Sequence, residues 1–165
     1  MEVIAVSGTP GTGKTTLSKK LAKRLDFYYL DVNKFINTKK LYGGYDKKRR
    51  TKIVDIKKLN NALTKEIAII KKIKPKVHGL IIDSHISHYL PRKYVDFCII
   101  TKCSINELNK RLIKKKFNKN KVMENLQSEI FDICYNEAVA RKHKVIVVDT
   151  TKGFNMNKIL RQLGG

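Results

Sequence analysis

The stretch that most constrains this chain is Gly8-Thr9-Pro10-Gly11-Thr12-Gly13-Lys14-Thr15-Thr16. It fits G-x-x-x-x-G-K-[ST], a pattern whose glycines let the backbone curl around a phosphate and turn its N–H groups inward. The flanks give the match its weight. Val3-Ile4-Ala5-Val6 is a short β-branched apolar run that reads as a buried strand. Leu17, Leu21, Ala22 and Leu25 fall on one face of a helix. Strand, glycine loop and helix in this order set the positive end of a helix dipole against a bound anion. The backbone N–H groups from Gly11 through Gly13 to Thr16 then cradle the phosphates of a nucleoside triphosphate. The Lys14 ammonium reaches the outer phosphates, and the Thr15 hydroxyl can ligate Mg2+.

A strand–loop–helix opening predicts more of its kind downstream, and the chain supplies them. Further apolar runs lie at 27–30, 80–82, 95–100 and 144–149, the second closing on Asp83 and the last on Asp149. Helical periodicity fills the gaps. Phe35 and Ile36 mark a short helix over 32–40, and Ile56, Leu59, Leu63, Ile67 and Ile70 a long one that starts at Asp55 and stops at Pro75. Ser104 caps a helix carrying Ile105, Leu108 and Leu112. Val122, Leu126, Ile130, Ile133, Cys134 and Ala138 keep one helical period, and a last helix spans 155–163. Residues 41–46, with two glycines and two tyrosines, read as a turn, and 49–52 as a basic loop. Near-continuous apolar strands alternating with helices predict an α/β phosphate-loop fold: a five-stranded parallel sheet, order 2-3-1-4-5, with helices on both faces. The phosphate loop would lie at the carboxyl edge near the switch point. No linker or repeat divides the chain, so a single domain over 1–165 is expected.

An acid at the carboxyl end of a buried strand is where such a fold holds magnesium through water, and Asp83 and Asp149 compete for that role. Asp83 is preferred because Ser84 and His85 follow it directly, whereas Asp149 leads into the final loop. His85, two residues past Asp83, should face the same cleft. Two roles are open to it: orienting a water for hydrolysis, or linking the nucleotide site to motion of a lid or partner. His88 reads as a loop residue.

Composition narrows the setting. Thirty-six Lys and Arg against 14 Asp and Glu leave a net charge of +22, a field that draws polyanions such as nucleotides, RNA and ribosomal surfaces. The basic clusters, at 47–50, 71–76 and 114–116, carry no aromatic interleaving, so direct RNA contact is open without a specific motif. No apolar run approaches a membrane span, and the first strand begins at once, so neither membrane insertion nor a secretion signal is expected. Three cysteines with no C-x-x-C point to the cytoplasm, and His85, His88, Cys98 and Cys103 lack a usual zinc spacing.

Within the phosphate-loop class, a GTPase would need a glycine three residues after its acid and an Asn-Lys-x-Asp base reader. Asp83-Ser84-His85-Ile86, Thr101-Lys102-Cys103-Ser104 and Asn118-Lys119-Asn120-Lys121 supply neither. The length favours a small kinase, with an acceptor-binding insert after strand two and a basic lid before the penultimate helix. The motif at 8–16, Leu41-Tyr42-Gly43-Gly44-Tyr45-Asp46, Asp83-Ser84-His85 with Pro91-Arg92, and Glu124-Asn125-Leu126-Gln127-Ser128-Glu129-Ile130-Phe131 together resemble the adenylate kinase isoenzyme six family over nearly the whole chain.

That resemblance implies a nucleoside monophosphate kinase-like protein that moves phosphate from ATP to AMP with Mg2+ and also hydrolyses ATP. It further implies a part in small ribosomal subunit maturation and rRNA processing, through pre-ribosomal particles and the eleventh protein of that subunit. It assigns about 31–55 to the monophosphate-binding region and about 111–121 to the lid. Arg111 and Lys115 would be the lid cations, and Lys152 the residue at the adenine. Two positions depart from the family. Lys115-Lys116 stands where Arg-Gly is usual, which keeps charge but loses the bidentate fork. Asn37 stands where an arginine is usual, which shifts weight from AMP towards water as the acceptor. A metabolic kinase and an ATP-driven assembly factor both stay open.

Overall fold

The structure, a computed structural model, describes residues 1–47, 51–73 and 77–164. Its large sheet is built from β1 (Glu2–Ser7), β2 (Tyr28–Asp31), β5 (Gly79–Asp83), β6 (Phe97–Lys102) and β7 (Val145–Asp149), in the order β2-β5-β1-β6-β7 and all parallel. Counting only the strands of this sheet, that order is the expected 2-3-1-4-5. β1 lies in the centre, so the loop leaving it opens at the middle of the carboxyl edge.

The central strands β5, β1 and β6 are apolar along nearly their whole length because both faces are covered, and successive residues divide between them. Val3 and Ala5 of β1 and Leu80 and Ile82 of β5 face α2 (Val32–Thr38) and α3 (Ile56–Ile73), whose Phe35, Leu59, Leu63 and Ile67 complete that core. Ile4, Val6, Ile81 and Ile99 face the other way, onto Leu17 and Leu21 of α1 (Lys14–Leu25) and Ile159 of α7 (Met156–Leu163). Polar side chains cap the starts of α3 and α4 (Ile105–Lys114). Asp55 accepts from the Lys57 and Lys58 N–H groups at 2.8 and 3.1 Å, and Ser104 accepts from Glu107 N–H at the head of α4. A smaller cluster of Leu108, Leu112, Cys103 and Val122 joins α4 to α5 (Lys119–Ile130) beneath the expected lid.

Two readings of the sequence need correction. Residues 42–46 are not a turn, nor 51–52 a loop. They belong to an antiparallel hairpin of β3 (Tyr42–Asp46) and β4 (Thr51–Val54), pairing Tyr45 with Lys52 and Gly44 with Ile53. Two adjacent glycines mask strand propensity, and the ladder's irregularity between Tyr42 and Gly44 is where they are accommodated. The helix read across 122–138 is two: α5 stops at Ile130, and α6 (Ile133–Ala140) starts afresh after Asp132, which adopts φ 52°. A short polar residue tolerates that left-handed backbone, and Lys102 holds the Asp132 carboxylate in an ion pair. The break leaves Ile130 and Ile133 exposed although their spacing matched a core face. Lys48, Arg49, Arg50, Lys74, Pro75 and Lys76 lie outside the described residues.

Candidate active site

β1 ends in the sheet's centre, and the chain then turns through Gly8, Gly11 and Gly13, all with positive φ. At Gly11 the φ is 98°, and a Cβ there would lie 2.9 Å from Leu108 Cδ1 and 3.0 Å from Leu112 Cδ2. Only glycine lets α4 close on the loop from behind. Gly13, at φ 87°, occupies the cap position of α1 with no side chain to take its first N–H groups, which are left for an anion. Thr15 and Thr16 sit exposed in that first turn. The buried Thr12 hydroxyl stiffens the loop, donating to Thr9 O at 2.7 Å and pairing with Thr101 Oγ1 at 2.6 Å. Lys14 folds back so that Nζ donates to Thr9 O at 2.9 Å. Burial lowers its pKa to about 8, opposed in part by Cys134, Asp83 and Glu129 and reinforced by Lys115.

On one side of the loop lies a cleft of about 810 Å3 lined by Gly11, Thr16, Lys115, Lys152 and Phe154. Lys115, at the C-cap of α4, and Lys152, after β7, are both exposed there. Arg111 also lines it, but as a strut. Its Nε donates to Glu107 at 2.9 Å, and its terminal nitrogens reach Thr150 O at 2.9 Å, Thr151 O at 3.2 Å and Thr150 Oγ1 at 3.2 Å. The Thr150 hydroxyl in turn donates to Thr12 O at 2.6 Å. Helix α4, the loop after β7 and the phosphate loop are thereby one hydrogen-bonded unit.

The two competing acids separate cleanly. Asp149 is exposed and closes its own turn, accepting from Thr151 N–H at 2.8 Å and Thr151 Oγ1 at 2.6 Å; these bonds hold its pKa below the usual carboxylate range. Asp83 is buried at the end of β5, in register with Val6 of β1 and Asp31 of β2. Its Oδ2 accepts from Tyr29 OH at 2.8 Å, and burial with this bond raises the tyrosine's pKa and keeps it a donor. An all-oxygen set of Thr15 hydroxyl, Asp83 carboxylate and phosphate suits a hard divalent cation such as Mg2+, so the residues present fit that ion.

His85 stands at the mouth between two clefts, sharing one with Pro10 and Lys121 and the other with Asn37 and Lys52. Surrounding protein, then Lys14, His88 and Lys121, push its pKa down. Water still reaches the exposed ring and tempers that loss of solvation, and the direction favours a neutral ring at pH 7.

His88 is not a loop bystander. It lies in a buried 3-10 turn, Ser87–Tyr89, with Nδ1 2.6 Å from Ser7 Oγ at the root of the phosphate loop and Nε2 2.9 Å from Glu137 of α6. Burial lowers its pKa more than Glu137 raises it. Tyr89 OH donates to the same carboxylate at 2.8 Å. The partners of His88 sit 81 and 49 positions away, so no local pattern signals them. The cleft that His85 shares with Asn37 and Lys52, about 500 Å3, is bounded by α2 and the hairpin. At its edge Asn37 Oδ1 accepts from Lys52 Nζ at 2.6 Å.

A phosphate loop at the switch point of a parallel sheet, with clefts on both sides, defines the phosphate-loop class of nucleotide-binding proteins. A family profile described as "AAA domain" matches residues 4–132. The chain is 36% identical over 148 residues to a Methanocaldococcus jannaschii protein named "Putative adenylate kinase", covering 90% of this chain and 76% of that one. It is 30% identical over 146 residues to the adenylate kinase isoenzyme 6 homolog of Dictyostelium discoideum, covering 88% and 79%. The structure of deoxyadenosine kinase from M. mycoides with bound dATP matches with a TM-score of 0.58 over 100% of both chains, at 16% identity, a likeness of fold alone. The chain belongs to the adenylate kinase isoenzyme six family. Among the described residues no helix is long and apolar enough to cross a membrane.

Proposed function

We propose that this chain is an adenylate kinase-like phosphotransferase that moves the γ-phosphoryl group of ATP to AMP, giving two ADP. The observation that carries this reading is a phosphate loop that lines one cleft with Lys115 and Lys152 and, through Pro10, a second with His85, which opens in turn onto a third beside Asn37 and Lys52. In the reaction the bond from γ-phosphorus to the β–γ bridging oxygen breaks, and a bond to an AMP phosphate oxygen forms. The N–H groups of Gly11, Gly13, Lys14, Thr15 and Thr16 hold the donor phosphates. Lys14 leaves the Thr9 carbonyl to meet developing charge on the outer phosphates. Thr15 and, through water, Asp83 would hold Mg2+, which when bound neutralises phosphoryl oxygens. Lys115 and Arg111 close the donor side, and Lys152 meets the base. Residues about 31–55 form the acceptor region and about 111–121 the lid of a single domain.

The same γ-phosphoryl group passes to water when no acceptor is present, with His85 orienting that water. ATP hydrolysis of this kind suits assistance in small ribosomal subunit maturation in the cytoplasm, and the +22 charge favours a polyanionic partner for it. ADP formation measured with and without AMP, and with and without a small-subunit ribosomal protein, tests both readings. Stimulation by AMP supports the kinase; no change with AMP but stimulation by the ribosomal protein replaces it with the assembly ATPase. Lys14→Ala that leaves nucleotide turnover intact overturns the site itself.

A further inference from the structure

The Lys52 ammonium is held by neutral partners. Asn37 Oδ1 accepts from it at 2.6 Å, and it lies 4.0 Å from the centroid of the Tyr42 ring. An amide oxygen and a ring face orient a cation without cancelling its charge. The hairpin sets its position, because Lys52 pairs with Tyr45 across the ladder and both residues line the acceptor-side cleft. Among the described residues that line this cleft, Lys52 is the one Lys or Arg and no carboxylate joins it; Asn33, Asn37, Tyr45, His85 and four apolar side chains supply the rest. An uncompensated ammonium at the edge of a largely apolar cleft beside a phosphate loop is a receptor for an anionic group on a molecule whose remainder is apolar and hydrogen-bonding.

We infer that Lys52, presented by β4 and aimed by Asn37 and Tyr42, is the residue that binds the phosphate of the acceptor nucleoside monophosphate. This rests on the kinase reading above and adds to it the residue that selects a phosphorylated acceptor. The grip comes from the hairpin rather than from α2, where position 37 is an asparagine that orients the lysine instead of binding the anion itself.

The test is steady-state kinetics and direct AMP binding by calorimetry for wild type, Lys52→Ala, Lys52→Arg and the double variant Lys52→Ala/Asn37→Arg. The expected result is a rise of about ten- to a hundredfold in KM and Kd for AMP in Lys52→Ala, larger than any rise in KM for ATP. Lys52→Arg retains most of the affinity, and Asn37→Arg restores part of it by returning a cation to the same edge. AMP-dependent turnover in wild type with an unchanged KM for AMP in Lys52→Ala overturns the inference and leaves the kinase reading standing. So does an equal rise in KM for both nucleotides, the mark of a merely structural lysine. AMP binding lost in Lys52→Ala, in a wild type that binds AMP without transferring phosphate, upholds the inference while the kinase reading fails. A wild type that neither binds nor phosphorylates AMP overturns both.

Discussion

Lys14 carries the charge that the phosphate loop needs, yet burial lowers its pKa to about 8 while it waits on the Thr9 carbonyl. The sign follows from linkage. The folded lysine releases its proton more readily than the unfolded one, so between about pH 8 and the ordinary lysine range the unfolded state binds more protons and stability rises with pH. Bound phosphates reverse the bias and draw the proton back. ATP binding at pH 8 is therefore expected to take up roughly half a proton, and affinity to fall as pH rises further. Calorimetry in buffers of different ionisation enthalpy reads this directly; no uptake would place the Lys14 ammonium outside the phosphate site. Arg111 makes a different prediction. Its fork reaches two backbone carbonyls of the loop after β7. Arg111→Lys keeps the charge but loses the fork, so it should cost about 1–2 kcal/mol in a denaturant titration and raise KM for ATP. The lysine and the acid strand were legible in the sequence because each belongs to a short local pattern. The arginine's strut role was not, because Thr150 lies 39 positions away.

Among the elements, the hairpin and the divided helix show where periodicity misleads. Helical spacing through 122–138 is intact, yet the chain breaks at Asp132 because the left-handed turn and the Lys102 ion pair are tertiary events. Asp132→Ala keeps the strained backbone and removes the partner. It should cost about 1–2 kcal/mol, and Asp132→Gly less, because glycine relieves the left-handed strain. Unfolding curves for the two variants check the order; equal losses would mean that the backbone carries no strain there. Helix α3, by contrast, was legible from its period alone. Leu63 is 1% exposed against β1 and β5, so Leu63→Ala should cost about 2–5 kcal/mol with catalysis otherwise unaltered at low temperature.

For the whole molecule the dominant quantity is charge. A net +22 spread over the surface predicts binding to single-stranded RNA of mixed sequence that weakens steeply with salt and shows little sequence preference. Filter binding across a salt series measures it, with a linear decline of log affinity against log salt as the expected result; a flat dependence would tie any RNA contact to something other than phosphate charge. The sequence by itself determined the sheet, its order and the phosphate loop, because buried parallel strands, crossover handedness and glycine-loop chemistry are written in neighbouring residues. The tertiary structure alone decided how the two acids differ in their surroundings. Asp83 and Asp149 end their strands alike, but one has Tyr29 beside it and the other spends itself on Thr151. It alone also joined His88 to Ser7 and Glu137, and Lys52 to Asn37. These pairings depend on how strands and helices distant in sequence come to lie against one another, which no local period or motif encodes.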